Sequence, residues 1–270
     1  MKRLIANPER LARGRETAFV VVCALVILAA CSPDDRPAPR PADVEQSGWM
    51  IPPRFDAADF SGDGVVVSGH AEPNRRVVLS DQTGLAAAAS ADAQGAFSIR
   101  LAARSGLSLW RIDMASGAEE ARTGQWLAVS TTDRTVVVLR AGASARPVGP
   151  AGLLATADYD GGGLLVAGRA SPGQQVQVAL NEGLVRTALA DESGWYEARF
   201  PAVGPGAHRL RAQSATTLHE VPLVLTAPSG ALDFAREPAG LRIDWSPPGG
   251  GAQSTWIVQV PSAADDPTAS

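Results

Sequence analysis

The chain repeats itself. Residues 57–101, "AADFSGDGVVVSGHAEPNRRVVLSDQTGLAAAASADAQGAFSIRL", align without a gap on residues 156–200, "TADYDGGGLLVAGRASPGQQVQVALNEGLVRTALADESGWYEARF", at a constant offset of 99. Self-similarity at a fixed period means one structural unit built twice. The coincident pairs include Asp59/Asp158, Gly62/Gly161, Gly64/Gly163, Gly69/Gly168, Pro73/Pro172, Val77/Val176, Gly84/Gly183, Asp92/Asp191 and Gly95/Gly194. Most of them are turn formers. What the copies share is therefore a pattern of bends, with apolar residues alternating between them.

That alternation predicts strands. Val176, Val178 and Leu180 fall on one side of an extended chain, Gln175 and Gln177 on the other; Phe97, Ile99 and Leu101 alternate likewise, as do Tyr196, Ala198 and Phe200. A period of two in short runs bounded by Gly, Pro and Asp is the mark of a strand half-buried against one core. No window beyond the first thirty residues shows a helical stripe. The fold class expected is all-β, its short, regularly spaced strands forming a sandwich or a barrel in each copy.

The stretches "VSGHAEPNRRVVL…ASADAQGAFSIRL" and "VAGRASPGQQVQV…ALADESGWYEARF" resemble the bacterial immunoglobulin-like domains of surface and envelope proteins. The pattern of that family is V-x-G-x-A-x-P-G-x-x-V followed by T-x-A-D-x-x-G-x-(W/F). The resemblance spans roughly residues 57–226. The first copy departs at Asn74, where the pattern has Gly. An immunoglobulin-like fold and an adhesive or spacer role are what the resemblance implies; it supplies no catalytic residues.

The copies are unequal. The first carries extra sequence, "GAEEARTGQWLAVSTTD", before a closing strand read as "TVVVLRAG", whose counterpart is read as "VPLVLTAP" in the second. Beyond that, "LRIDWSPPGGGAQSTWIVQV" is expected to form a hairpin about its Pro-Pro-Gly-Gly-Gly turn, either completing the second sandwich or standing beside it. The organisation expected is a signal segment at 1–30, a Pro-rich tether at 31–50, one sandwich at 51–146, the other at 151–227, the hairpin segment at 228–260 and a disordered tail at 261–270.

The beginning of the chain supplies an address. Lys2, Arg3, Arg10, Arg13 and Arg15 outweigh Glu9 and Glu16, and an uncharged run "TAFVVVCALVILAA" follows. Spanning about 30 Å of hydrocarbon takes roughly 20 apolar residues. This run is shorter and fits the helical, cleaved core of a secretory signal. Its ending, Leu28-Ala29-Ala30-Cys31, resembles the lipobox of bacterial lipoproteins. The resemblance implies a diacylglycerol thioether on Cys31 and cleavage before it, with Leu28, Ala29 and Ala30 as the signal-cleavage residues. Cys23 follows Val22 rather than a small residue and fits the motif poorly. Ser32, not aspartate, comes after Cys31, which by the best-known sorting rule for that family favours the outer membrane, facing the periplasm.

Taking Cys31 as the first mature residue removes five of 24 basic and two of 28 acidic side chains, leaving 19 and 26 and a net charge of −7. Such a chain is not a nucleic-acid binder, since phosphate recognition needs clustered Lys and Arg. With both cysteines in or at the end of the signal, the mature fold has no disulfide and no thiolate metal site. The stretch "SPDDRPAPRPADVEQSG" has too few apolar residues to bury and reads as an extended spacer.

Candidate chemistry is sparse. Asp56, Asp59, Asp63, Asp158 and Asp160 gather near the first strand of each copy, but no calcium-loop spacing accompanies them, and Asp with Gly makes turns. His70, His208 and His219 are scattered and no H-E-x-x-H occurs. Neither a G-x-S-x-G elbow nor an S-x-x-K set is present. The chain thus reads as a non-enzyme with no metal and no cofactor other than the covalent lipid. Trp110, Trp126, Trp195, Trp245 and Trp256 are the candidate ligand contacts. Exposed indoles would stack on sugar rings; buried ones would close the ends of small cores. The expectation is a lipid-anchored envelope protein with interaction or spacer domains, its partners the membrane and either envelope proteins or, through those tryptophans, peptidoglycan or another glycan.

Overall fold

The computed structural model describes residues 51–62, 64–116, 119–247 and 249–258. The signal and its cleavage residues Leu28, Ala29 and Ala30, the lipidation site Cys31, the tether, Asp63 and the tail lie outside the described residues. Those described form strands and no helix, so the all-β expectation holds.

The first domain comprises β1 (Arg54–Ser61), β2 (Gly64–His70), β3 (Arg76–Asp81), β4 (Ala86–Ser90), β5 (Ala96–Ala102), β6 (Leu107–Ser116), β7 (Glu119–Ser130), β8 (Thr135–Arg140) and β9 (Arg146–Pro147). The second comprises β10 (Thr156–Tyr159), β11 (Leu164–Arg169), β12 (Gln175–Leu180), β13 (Leu184–Leu189), β14 (Trp195–Phe200), β15 (Gly206–Gln213), β16 (Leu218–Leu225), β17 (Asp233–Glu237), β18 (Gly240–Trp245) and β19 (Gln253–Val258).

Four sheets result: β1-β2-β5 and β4-β3-β6-β7-β8-β9 in the first domain, β14-β11-β10-β19-β18-β17 and β13-β12-β15-β16 in the second. Every strand pairing is antiparallel. The shared unit is seven strands, with the first, second and fifth facing the fourth, third, sixth and seventh. This is an immunoglobulin-like sandwich whose fourth strand pairs with the third.

Two sequence assignments need correcting. The stretch "GAEEARTGQWLAVSTTD" is not an insertion: it contains the whole of β7, which pairs with β6 as β16 pairs with β15. It is the seventh strand of the unit. "TVVVLR" is β8, an additional strand without a counterpart in the second domain's four-stranded sheet, and the partner of "VPLVLTAP" is β7. The two domains have grown on opposite sheets: the first adds β8 and β9 beyond its seventh strand, the second adds β17 to β19 beyond its first. The terminal hairpin is thus continuous with the second sandwich, β19 pairing with β10 from Thr156↔Ile257 to Tyr159↔Ser254.

The repeated motif residues have local causes. In the first copy the turn 72–75 closes through Arg75 N–H to the Glu72 carbonyl at 3.1 Å, with Pro73 before Asn74 at φ 62°. In the second, Gln174 N–H reaches the Ser171 carbonyl at 2.9 Å, with Pro172 before Gly173 at φ 73°. Pro and then a left-handed residue make a type II turn. Asn tolerates that conformation better than other side chains, so Asn74 does the work of the missing glycine. The A-D-x-x-G motif is a second turn. Asp92 Oδ1 accepts from the N–H groups of Gln94 and Ala96, and Asp191 Oδ1 from those of Ser193 and Trp195, all within 2.9 Å. Gly95 and Gly194 supply the positive φ that follows.

Gly69 and Gly168 serve close approach instead. A methyl group on Gly69 would overlap the Arg54 carbonyl, and one on Gly168 the Leu153 carbonyl, which also accepts the Tyr196 hydroxyl. Gly168→Ala is therefore expected to cost about 2 kcal/mol or more, the price of overpacking a site that cannot yield. Gly183→Ala, with nothing within 4 Å of its added carbon, is the control. Equal melting temperatures for the two variants would contradict this.

Each sandwich closes on its own core. Val65, Val67, Phe97 and Ile99 meet Val77, Leu79, Trp110 and Leu127 in the first; Tyr159, Val166, Tyr196, Phe200 and Trp256 meet Val178, Leu210 and Leu223 in the second.

Candidate functional site

A third core joins the domains. Leu109, Ala128, Val137 and Leu139, on the outward face of β6, β7 and β8, are buried with Leu241, Ile243, Trp245 and Ile257 on β18 and β19. The two six-stranded sheets thus pack face to face. This explains strands with no exposed side: β8 is buried at Val136, Val137, Val138 and Leu139 alike, and β19 along its whole length. Strands covered on both faces lose the alternation of one-sided strands. The tandem domains form one body.

Polar contacts sew the margin of this core. Asp158, on β10, is 5 % exposed, and its carboxylate accepts from Ala145 N–H at 2.9 Å, Gln253 Nε2 at 3.0 Å and the Thr255 hydroxyl at 2.6 Å. Thr156 Oγ1 donates to the Ala145 carbonyl at 3.0 Å, so the segment between the domains is held by side chain and backbone alike. Burial raises the Asp158 pKa to about 6, against the opposing pull of these three donors and of Arg140. Asp158 is not the turn residue expected from sequence; its mate Asp59 is exposed, and the turn is made by Asp160, which accepts from Gly162 and Gly163 N–H at 2.9 and 2.6 Å. On the opposite rim Arg236 pairs with Asp133.

At one edge of the interface the sheets part to leave a cleft of about 680 Å³. Its walls come from the start of the first domain (Pro52 to Asp56), the inter-domain segment (Arg146, Pro147, Gly149) and the second domain (Arg169, Ser193, Trp195), with Gln125, Val138 and Arg140 between. Four arginines line it. Arg54 pairs with Asp56 at 2.7 Å and Arg140 with Glu197 at 3.1 Å. Arg146 and Arg169 have no carboxylate within ion-pair distance among the described residues; their guanidinium carbons lie 5.1 and 5.7 Å from the Trp195 ring centroid, in cation–π range. Burial, and then the neighbouring Arg140, hold the Arg146 pKa below its ordinary value. Arg146 Nε and Gln125 Oε1 are both buried without a hydrogen-bond partner.

The sequence-flagged tryptophans divide sharply. Trp110, Trp245 and Trp256 are 1 %, 0 % and 0 % exposed, and cannot serve as contacts for a sugar. Hydrophobic packing claims them: Trp110 closes the first core, Trp256 the second and Trp245 the third. Trp126 is half-buried against the third core with its Nε1 buried and unpartnered. Trp195 alone of the five lines the cleft, and guanidinium groups lie over its ring. His70 is exposed and bonded to Asp56 at 2.8 Å; His208 meets Asn181 at 3.1 Å; His219 is buried, which lowers its pKa. Among the described residues no three His, Cys, Asp or Glu side chains are grouped to hold a metal ion, and no helix is long and apolar enough to cross a membrane.

Sequence reasoning missed the arginines. Arg54, Arg140, Arg146 and Arg169 belong to no motif and come together only when the sheets stack; the one available signal was Arg169 standing where the first copy has His70.

No family model and no curated protein matches the chain. Among solved structures it is similar to a biofilm-associated protein's BSP domain, at 15 % identity over 66 % of this chain and 30 % of that one, with a TM-score of 0.23. It is also similar to the central fibronectin-III array of a RIM-binding protein, at 11 % identity over 75 % of this chain and 76 % of the other, with a TM-score of 0.26. This chain therefore spans less than a third of the first of these.

Proposed function

We propose that the chain is a lipid-anchored protein of the bacterial cell envelope whose two-domain body is a non-catalytic interaction and spacer module. The observation that carries the anchoring is Leu28-Ala29-Ala30-Cys31 at the end of a short apolar run behind a basic segment. The lipid on Cys31 holds the protein to the membrane, and the Pro-rich segment sets its body at a distance. Because the third core makes that body one unit, it presents its surfaces in a fixed relation to one another.

A surface suited to protein contact supports the interaction role. Strand β13 lies at the edge of its sheet and exposes Leu184 at 41 %, Val185 at 48 % and Leu189 at 67 %. An edge strand with aliphatic side chains is a template for pairing with another chain. The tryptophan-based glycan reading keeps a single platform, Trp195.

Detergent phase partition of the protein made in a Gram-negative host tests the anchor. The full chain is expected in the detergent phase and the Cys31→Ser variant in the aqueous phase or left unprocessed, since two or three acyl chains give stable attachment. A Cys31→Ser protein processed and partitioned like the parent would end the lipoprotein reading.

A further inference from the structure

The cleft between the domains is built like a ligand site, and its chemistry narrows the ligand. Its volume, about 680 Å³, falls within the roughly 300–1,000 Å³ of small-molecule sites. Two guanidinium groups, those of Arg146 and Arg169, face it with no carboxylate at ion-pair distance among the described residues, although Glu197 and Asp191 act on Arg146 from further off and Arg169 Nη2 donates to the Ser193 carbonyl at 3.0 Å. Guanidinium is the donor fork that fits a carboxylate or phosphate.

The buried polar atoms say more. Unpaired buried groups are uncommon and each calls for a reason. Arg146 Nε lacks an acceptor while Gln125 Oε1 lacks a donor. A bare oxyanion could satisfy the first and not the second. Both side chains line the cleft, and a ligand that uses the Arg146 guanidinium together with the Gln125 amide offers anionic oxygens along with hydroxyl or amide N–H groups. Pro52 and Pro147 add the apolar wall against which a ring or carbon skeleton rests, while Trp195 carries the two guanidinium groups.

From these features we propose that the inter-domain cleft binds a carboxylated sugar, the carboxylate held by Arg146 and Arg169 and a hydroxyl donating to Gln125. The arginines along Trp195 make an acidic ring the fitting guest where a neutral sugar would find its stacking surface already occupied. The site exists only in the stacked arrangement of the domains, because its walls come from both.

Isothermal titration of the full chain in a non-ionic detergent tests this, with trigalacturonate as the acidic probe, maltotriose as the neutral one and inorganic phosphate as the oxyanion without a carbon skeleton. Saturable binding of trigalacturonate is expected, weakening as salt is raised, with no binding of maltotriose and phosphate at least tenfold weaker. Arg146→Gln and Arg169→Gln should each lose about ten- to a hundredfold in affinity, the loss of one charge-assisted contact. Arg169 is exposed, so its variant remains informative should Arg146→Gln fail to fold. Arg211→Gln, on the exposed face of β15, should bind like the parent. No heat with any probe, maltotriose or phosphate binding as tightly as trigalacturonate, or undiminished affinity in a folded Arg169→Gln protein would each overturn the proposal. The titration does not depend on the lipid, so its failure would leave the anchoring reading standing, and loss of that reading would leave the titration valid.

Discussion

Trp245→Ala should be the most damaging single truncation in the inter-domain interface, costing about 4 kcal/mol. Trp245 is 0 % exposed and is the largest side chain of the third core, packed with Leu241, Ile243 and Ile257 from its own sheet and Leu109 and Leu139 from the opposing one. Its removal leaves a cavity that two rigid sheets can close only by shifting against each other, so the cost includes both the lost transfer energy and the void. The indole N–H also donates to Thr255 Oγ1 at 3.3 Å, and that hydroxyl donates to Asp158. For a folded body of some 200 residues, a loss of this size lowers the melting temperature by roughly 10 °C. The same loss should separate the two sandwiches, turning one calorimetric transition into two. Leu232→Ala, at a side chain 42 % exposed, serves as the surface control. A Trp245→Ala protein melting within about 2 °C of the parent would show that the sheets do not depend on one another.

Asp158 should make stability fall as pH rises from about 4 to about 6. Its pKa stands at about 6 in the folded protein against 3.8 for the free side chain, burial being the dominant cause. Between those values the folded state holds a proton that the unfolded state has released, so stability declines with pH across this window and is flat above it. A difference of about 2 pKa units corresponds to roughly 3 kcal/mol. Other groups carry the opposite sign. Burial lowers the pKa of His219, so its neutral form contributes stability that is lost as pH falls below 6.5. Asp160 and Asp191, held low by backbone and side-chain hydrogen bonds that outweigh partial burial, contribute stability that is lost below about 3.8.

Asp158→Asn isolates the group, because these other contributions are common to parent and variant and cancel in the difference. The parent's advantage over Asp158→Asn, measured by chemical denaturation, is expected to shrink by roughly 3 kcal/mol between pH 4 and pH 6.5. A difference that stays constant with pH would refute the buried, proton-binding carboxylate. The two sites share Thr255, so Trp245→Ala and Asp158→Asn should combine non-additively.

The parts of this molecule that were legible in advance are those governed by near neighbours in the chain. Alternation of Val176, Val178 and Leu180 with Gln175 and Gln177 announced β12, and the A-D-x-x-G and Pro-Asn or Pro-Gly pairs announced the turns, because a strand's facing and a turn's φ depend on only a few consecutive residues. The repeat then doubled the evidence for each. It also misled. Treating the copies as equivalent cast β8 as the seventh strand and put Asp158 in the same turn-making role as Asp59, although one carboxylate is buried between sheets and the other faces water.

The sequence by itself determined the class of fold, the doubled unit and the turns, since each is written in contiguous residues. Only the tertiary structure decided that the unequal ends of the two copies grow on opposite sheets and meet. That meeting buried Trp245, where Trp110 and Trp256 fill the cores of their own sandwiches, and gathered Arg54, Arg140, Arg146 and Arg169 around Trp195. The physical reason is distance along the chain. An apolar run such as "VVVL" shows that both faces of a strand are covered, but the identity of the covering sheet resides in residues about a hundred positions away.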